Sequence, residues 1–195
     1  ADLCKKAGHE PPKTCENFRN AAIKLTDAPN RYGVGLRGGK DGWDQWGAFV
    51  LSQGGEVKPG GLTTPSAVAA NQWVIDLFQK DKVIPPSAPN DGFQDIISAF
   101  KTGKTAMTIH HVGSSKDLVA ALGDKVSAVP VPACGGNRWT SYGDASLAIF
   151  ASSDVKAAAW KWISFLAEGE NTVSLNRPTG QLTVGLDPRG RMGAA

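Results

Sequence analysis

The hydrophobic pattern of this chain keeps changing its period, and that constrains the fold more than any other feature of the sequence. Stretches with apolar residues every three or four positions alternate with short apolar runs, and Gly or Pro punctuates most junctions. Residues 2–7 read as a short helix ended by Gly8, followed by an extended Glu10-Pro11-Pro12 connection. Thr14 is placed to cap a helix running to about residue 25, with Phe18, Ala22 and Leu25 on one face. Residues 31–36 read as a strand that enters a glycine-rich turn over 37–42. A helix over about 43–53 follows, stopped by Gly54-Gly55, and 56–62 form an exposed turn or hairpin. Pro65 opens the next helix, whose Ala70, Val74, Leu77 and Phe78 make a buried stripe that ends at 83–89. Phe93, Ile96, Ile97 and Phe100 repeat the pattern and close at Gly103. The spacing then predicts a strand over 105–109, a helix over 114–122, a strand over 126–132, a loop over 133–138 and a strand over 146–151. A last helix, capped by Asp154, carries Val155, Ala159, Trp162, Ile163 and Leu166 on one side. Such alternation predicts an α/β fold in which helices cover a sheet.

Several function classes are excluded early. The 195 residues carry a formal net charge of only +3, with both signs interspersed and no basic stripe, so nucleic acid is not an expected partner. The longest apolar runs, over 47–51 and 127–134, are far too short to span a bilayer. No charged start followed by an apolar core is present in the first ten residues, so no signal peptide is expected within the sequence. Cys4, Cys15 and Cys134 fit no zinc spacing. Cys4 and Cys15 flank the turn through Pro11-Pro12 and could pair, leaving Cys134 over. Three reduced, small, buried side chains fit the sequence equally well, and that is the favoured expectation.

Motifs for catalysis are sparse. His110-His111 ends the 105–109 strand, where ligands of open α/β sheets gather. Adjacent strand residues point to opposite faces, however, so the two rings cannot easily grip one metal, and no HExxH or HxH spacing occurs. There is no GxSxG elbow and no Cys–His motif. Gly33 and Gly35 do not extend to GxGxxG, and Gly103-Lys104-Thr105 lacks the upstream glycine of a phosphate loop. Trp43 and Trp46 are more suggestive, three apart and beside Asp41, Asp44 and Gln45. Aromatic faces next to acids and amides suit a carbohydrate, the ring packing on C–H faces and the polar groups binding hydroxyls. Taken alone, the pair is better explained as core or hinge packing. Trp162, in the stripe of the last helix, is expected in the core.

Several runs are specific enough to carry a resemblance. Gly8-His9-Glu10-Pro11-Pro12-Lys13-Thr14 resembles the AGxxPPKTW start of the family 1 extracellular solute-binding proteins, the maltose-binding-protein class. The strand ending at Leu36, followed by Gly38-Gly39-Lys40-Asp41-Gly42-Trp43, resembles that family's strand and ligand-facing loop. Ser98-Ala99-Phe100-Lys101-Thr102-Gly103-Lys104-Thr105-Ala106-Met107 is similar to its AFxxGKxAM hallmark. Val129-Pro130-Val131-Pro132 resembles the strand toward the hinge, and Ala158-Ala159-Trp160-Lys161-Trp162-Ile163-Ser164-Phe165-Leu166 the AAWKFIxFL helix. Pro178-Thr179-Gly180-Gln181-Leu182 resembles the segment after it. The chain departs from the family in having Cys15 where Trp is usual, in Cys4, in about half the usual length, and in 185–195, which resemble nothing there.

The resemblance implies a periplasmic-binding-protein type 2 lobe, a mixed sheet flanked by helices, plus a partial excursion into a second lobe. Residues 1–138 would form one nearly complete lobe, 139–184 a returning segment of the other lobe, and 185–195 a tail. The implied function is solute binding for an ABC importer, with a sugar or polyol held between lobes that close by hinge bending and are presented to a permease. No catalysis, cofactor or metal is implied, and the location would be periplasmic or extracellular. By position in the motifs, ligand contacts are expected from Gly42, Trp43, Asp44 and Trp46, from His110, His111, Gly113 and Ser114, and from Ser141, Tyr142, Gly143 and Asp144. Trp43 would stack on a sugar, Asp44 would accept hydroxyl protons, and His110 would make one hydrogen bond. The rival readings are a hydrolase or transferase using His110 and Asp144, and a remnant that binds nothing. The apolar stripe over 154–166 would lack its native covering and is expected to pair with a second copy as a homodimer.

Overall fold

A computed structural model describes residues 3–4, 8, 10–141, 147–176, 185–186 and 192–193. Residues 3–4 are helical; the rest of the helix expected over 2–7 lies outside the described residues. The chain divides into two compact units, one of Ala1–His110 with Leu118–Ser141, the other of His111–Asp117 with Tyr142–Ala195.

The larger unit is built on α1 (Cys15–Leu25), β1 (Tyr32–Gly35), α2 (Trp43–Val50), α3 (Pro65–Gln79), α4 (Phe93–Lys101) and β2 (Thr105–Thr108). Thr14 caps α1 as its sequence position requires, its Oγ1 accepting from the Asn17 N–H at 3.1 Å. Phe18, Ala21, Ala22 and Leu25 turn one face of α1 inward. That face lies directly on β1. A Cβ built on Gly33 would stand 2.1 Å from the Ala22 carbonyl oxygen, so only glycine lets the helix approach this closely. At the end of α1, Thr26 Oγ1 donates to the Ala22 carbonyl at 2.8 Å and accepts from the Gly33 N–H at 3.0 Å. β1 and β2 are parallel, in register Tyr32↔Thr105, Val34↔Met107 and Gly35↔Thr108. A parallel pair needs a long crossover, supplied here by α2, α3 and α4.

The core gathers Phe18, Val34, Phe49, Leu77, Val83 and Ile84, with Trp73 and Met107 packed against it. Full burial of side chains such as Phe49 and Leu77 contributes about 1.5–3 kcal/mol each. Around this core, Arg19 Nε meets Asp81 at 2.6 Å, and the hydrogen bond that Arg19 donates to the Asp81 carboxylate raises the pKa of the guanidinium. Thr64 caps α3, with Pro65 at its first position, and Asp95 closes the start of α4 by accepting from the Gly92 N–H at 2.7 Å.

Several expectations need correction here. The helix over 43–53 stops at Val50, because Gly54 adopts φ +94° and the Gly55 N–H folds back to the Val50 carbonyl at 3.0 Å. No strand forms over 126–132. Pro130 and Pro132 lack an N–H for a ladder, and residues 127–130 are exposed. Pairing is reduced to one parallel bridge, Thr14 with Ala133. Cys15 bonds to Cys134 rather than to Cys4, with Cα atoms 5.1 Å apart, while Cys4 is free. Closing a loop of 119 residues constrains the unfolded chain by about 4–5 kcal/mol in the entropic account.

Further corrections lie in the smaller unit. Residues 147–150 have no ladder partner among the described residues, so the strand over 146–151 is absent there. The helix α6 (Lys156–Ala167) starts two residues after Asp154, with Val155 at the cap position and no side-chain cap. Ser153 Oγ accepts from the Val155 N–H at 3.3 Å instead. α6 buries none of its residues, and Trp162, expected in the core, is 59% exposed and stacks on Phe165 at 5.7 Å. Thr172 Oγ1 donates to the Leu166 carbonyl at 2.6 Å and ties α7 (Gly169–Asn176) to the end of α6. Residues Gly185–Leu186 (β3) and Met192–Gly193 (β4) pair antiparallel. The chain enters this unit at His111, turns through a 3-10 segment, Val112–Ser114, and leaves within α5 (Ser115–Leu122). No helix is long and apolar enough to cross a membrane among the described residues.

Candidate functional site

β1 and β2 run parallel, so their carboxyl ends open on the same edge, and the chain there carries Leu36-Arg37 and Ile109-His110. Gln45, in the first turn of α2 and buried, locks the two ends together. Its Oε1 accepts from the Arg37 N–H at 2.6 Å and its Nε2 donates to the Ile109 carbonyl. The turn that joins β1 to α2 is equally fixed. Asp41 sits at φ 60°, and a Cβ on Gly42 would stand 2.1 Å from the Arg37 carbonyl oxygen.

Side chains fill this edge in two groups. Arg37 leaves only 11% of its side chain exposed, with a terminal guanidinium nitrogen 4.0 Å from Asp44 Oδ2. Its guanidinium carbon lies 5.9 Å from the centre of the Phe93 ring, a cation–π approach. Phe93 in turn meets the His110 ring edge-on at 4.4 Å. In the second group Trp43, 54% exposed, meets Trp139 edge-to-face at 5.9 Å. Trp139 reaches this place because Gly47 has no side chain: a Cβ there would stand 3.1 Å from its ring. Among the described residues no cluster of three His, Cys, Asp or Glu could hold a metal. The edge instead offers the exposed Trp43 indole beside the half-buried Trp139, a forked donor and a carboxylate acceptor, which is equipment for hydrogen-bonding a hydroxylated molecule while packing on its apolar face.

Of the residues expected from sequence, Trp43, Asp44 and His110 lie along this edge, with Gly42 in the turn that leads to it. Trp46 faces elsewhere: its Nε1 donates to Asn71 Oδ1 at 2.7 Å and its ring packs against the Val50, Ala67 and Ala70 cluster. His111, Gly113 and Ser114 belong to the smaller unit, where His111 Nδ1 accepts from the Gly113 N–H at 3.1 Å and Nε2 lies 3.0 Å from Ser114 Oγ. Ser141 is the last residue of the larger unit. Tyr142, Gly143 and Asp144 lie outside the described residues. Arg37, Gln45, Phe93 and Trp139 were not singled out as ligand contacts from sequence. Arg37 was legible in principle, because it follows β1 as His110 follows β2.

Residues 1–172 match the bacterial extracellular solute-binding proteins. A binding protein of Brucella abortus strain 2308 is 28% identical over 193 aligned positions, covering 94% of this chain and 46% of that protein. The ABC-transporter solute-binding protein of Agrobacterium radiobacter K84, solved with ribitol, superposes with a TM-score of 0.79 at 26% identity, over 93% of this chain and 49% of that one. A solute-binding protein of Thermotoga lettingae TMO, bound to α-D-tagatose, gives 0.77 at 25% identity over 92% and 49%. The α/β architecture is therefore that of the type 2 periplasmic-binding fold, and the chain spans about half the length of the curated relatives it matches. With the family's pattern running through 172 of its 195 residues, the chain belongs to the bacterial extracellular solute-binding proteins.

Proposed function

We propose that this chain provides one wall of a receptor cleft for a neutral sugar or polyol and serves an ABC importer without making or breaking a bond. The observation that carries the reading is the edge of the parallel pair, where the exposed face of Trp43 stands beside the Arg37–Asp44 donor–acceptor pair. Trp43 packs on the C–H face of the ligand. Arg37 and Asp44 divide the work on its hydroxyls, one donating and one accepting, and their opposite charges leave little net charge to favour an ion. Relatives with this fold bind ribitol and α-D-tagatose, both polyhydroxylated and uncharged, which supports the choice of class. The Cys15–Cys134 disulfide supports a periplasmic or extracellular location, because such bonds persist in oxidising compartments.

Because the relatives are about twice as long, this edge acts with a second wall, and the chain by itself binds weakly. Saturation-transfer NMR suits weak binding. A panel of hexoses, pentitols and hexitols should include members that receive saturation from the chain, and Trp43→Ala should lower affinity by about 1 kcal/mol, the scale of an aromatic contact. No transfer to any member, or equal transfer from the variant, would sink the reading.

The apolar side of α6 supports homodimer formation by the 195-residue chain. Trp162 and Phe165 are exposed and stack on one side of that helix, and Val155 precedes it. Light scattering over a dilution series should give a dimer that dissociates at low concentration, whereas a monomer throughout contradicts the pairing.

A further inference from the structure

From Ala133 to Ser141 the chain forms no helix or extended strand, yet it delivers Trp139 to its edge-on contact with Trp43. Something other than regular structure must hold that stretch. Residues 135–138 are exposed, so the buried anchor is Cys134, 1% exposed and bonded to Cys15 at the first turn of α1. α1 is itself fixed by Phe18 and Ala22 in the core. Beside the disulfide, the Cys15 N–H donates to the Ala133 carbonyl at 3.2 Å and the Ala133 N–H to the Lys13 carbonyl at 2.8 Å.

From that anchor the chain reverses tightly. Gly135 and Gly136 have φ of 60° and 86°, and the Cys134 and Asn137 backbones exchange both hydrogen bonds, at 2.8 and 3.1 Å. A two-residue turn with both central φ angles positive has little freedom, so the position of Cys134 fixes the direction in which the chain leaves. At the far end the Trp139 N–H donates to Ser52 Oγ at 2.9 Å, and that hydroxyl donates to the Ala48 carbonyl at 2.5 Å. Upstream, 126–131 contribute no ladder to share the task.

From this arrangement we infer that the Cys15–Cys134 disulfide is a positioning element of the ligand site, holding Trp139 against Trp43 through the Gly135-Gly136 turn. Trp139 then forms the second aromatic surface of the wall, and its place depends on a covalent bond to a helix outside the site. The consequence for sugar affinity rests on the function proposed above; the positioning of Trp139 does not.

The two are separated by measuring them on the same samples. Reduction of the folded chain by a trialkylphosphine consumes one phosphine and one water and yields the phosphine oxide and two thiols. A parallel sample carries Cys15→Ala with Cys134→Ala. In both, hydrogen exchange at the Trp139 amide should quicken by about tenfold or more, and the NOE between the Trp43 and Trp139 rings should vanish, while the β1 amides keep their native chemical shifts and the NOEs to β2. Trp139 protection within about twofold of the oxidised chain, with the NOE retained, overturns the proposal. If the double variant fails to fold, the reduced chain gives the same readout. Loss of the native β1–β2 NOEs there would make the bond a general staple and equally overturn it. Any sugar bound by the oxidised chain should bind several-fold more weakly after reduction. A chain that binds no sugar in either state sinks the function and leaves the positioning to be judged by exchange.

Discussion

Gln45 is the residue whose replacement tests the architecture of the site most sharply, because one buried amide serves both strand ends. Gln45→Leu conserves volume but leaves the Arg37 N–H and the Ile109 carbonyl without their partner. An orphaned polar group costs about 1–3 kcal/mol, so two in partly buried positions should destabilise the larger unit by about 2–4 kcal/mol. Gln45→Glu refines the test. The carboxylate can still accept from Arg37, but its second oxygen faces the Ile109 carbonyl, which needs a donor. The proton is therefore favoured in the folded state, and burial adds to the effect, so the folded pKa rises above the unfolded value of about 4.3. The folded state then binds more protons, and stability falls as pH rises through the window from the unfolded to the folded pKa. Urea unfolding at several pH values, with wild type as reference, should show Gln45→Glu approaching wild type near pH 4 and falling well below it by pH 7. A Gln45→Leu loss below about 1 kcal/mol, or a Glu variant with the pH profile of wild type, would refute the locking role of this amide.

Two further substitutions probe what positions the site. Gly33→Ala should destabilise the chain by about 3 kcal/mol in chemical unfolding, because its Cβ would meet the Ala22 backbone at 2.1 Å; a neutral effect contradicts the close α1–β1 contact. Asp76 accepts hydrogen bonds from Lys80 and Gln72, which lower its pKa below 3.8, so it stabilises the fold at neutral pH and that contribution is lost as pH falls through the folded value. Asp76→Asn should therefore flatten the acid limb of the stability–pH curve below about pH 4, the effect being small because its partner Lys80 is exposed and solvent screens the pair, and an unchanged acid limb would contradict this.

Local chemistry was legible in the sequence wherever it acts over a few residues. Thr14 marks a helix start because a hydroxyl before an apolar period satisfies a free N–H group, and it does so here. The 3.6-residue period of Phe18, Ala22 and Leu25 identified a buried face for the same reason. The strand over 126–132 was misread because its apolar residues suit a sheet while its prolines do not, and the period alone does not weigh a missing donor. The exposed face of α6 belongs to the same lesson: an apolar stripe states what a helix would bury, not whether a surface is present to bury it. The disulfide and the edge cluster were hidden by distance. Cys134 stands 119 residues from Cys15, and Trp139 is brought to Trp43 by a turn and a glycine whose roles exist only in the folded chain. Phe93 opens an apolar period and read as core, but its place at the start of α4 puts it beside Arg37 and His110.

The most direct test of the binding account is a map of where a polyol touches the chain. Proton–nitrogen NMR spectra of the 195-residue protein, titrated with ribitol and with tagatose, would follow every backbone amide and indole N–H together. The account predicts shifts concentrated at the Trp43 and Trp139 indoles, the 37–44 backbone and His110, saturating along one binding curve. Shifts centred instead on the open surface around Lys13, Asn17 and Asn20, or on α6, with the Trp43 and Trp139 signals unmoved, would contradict it.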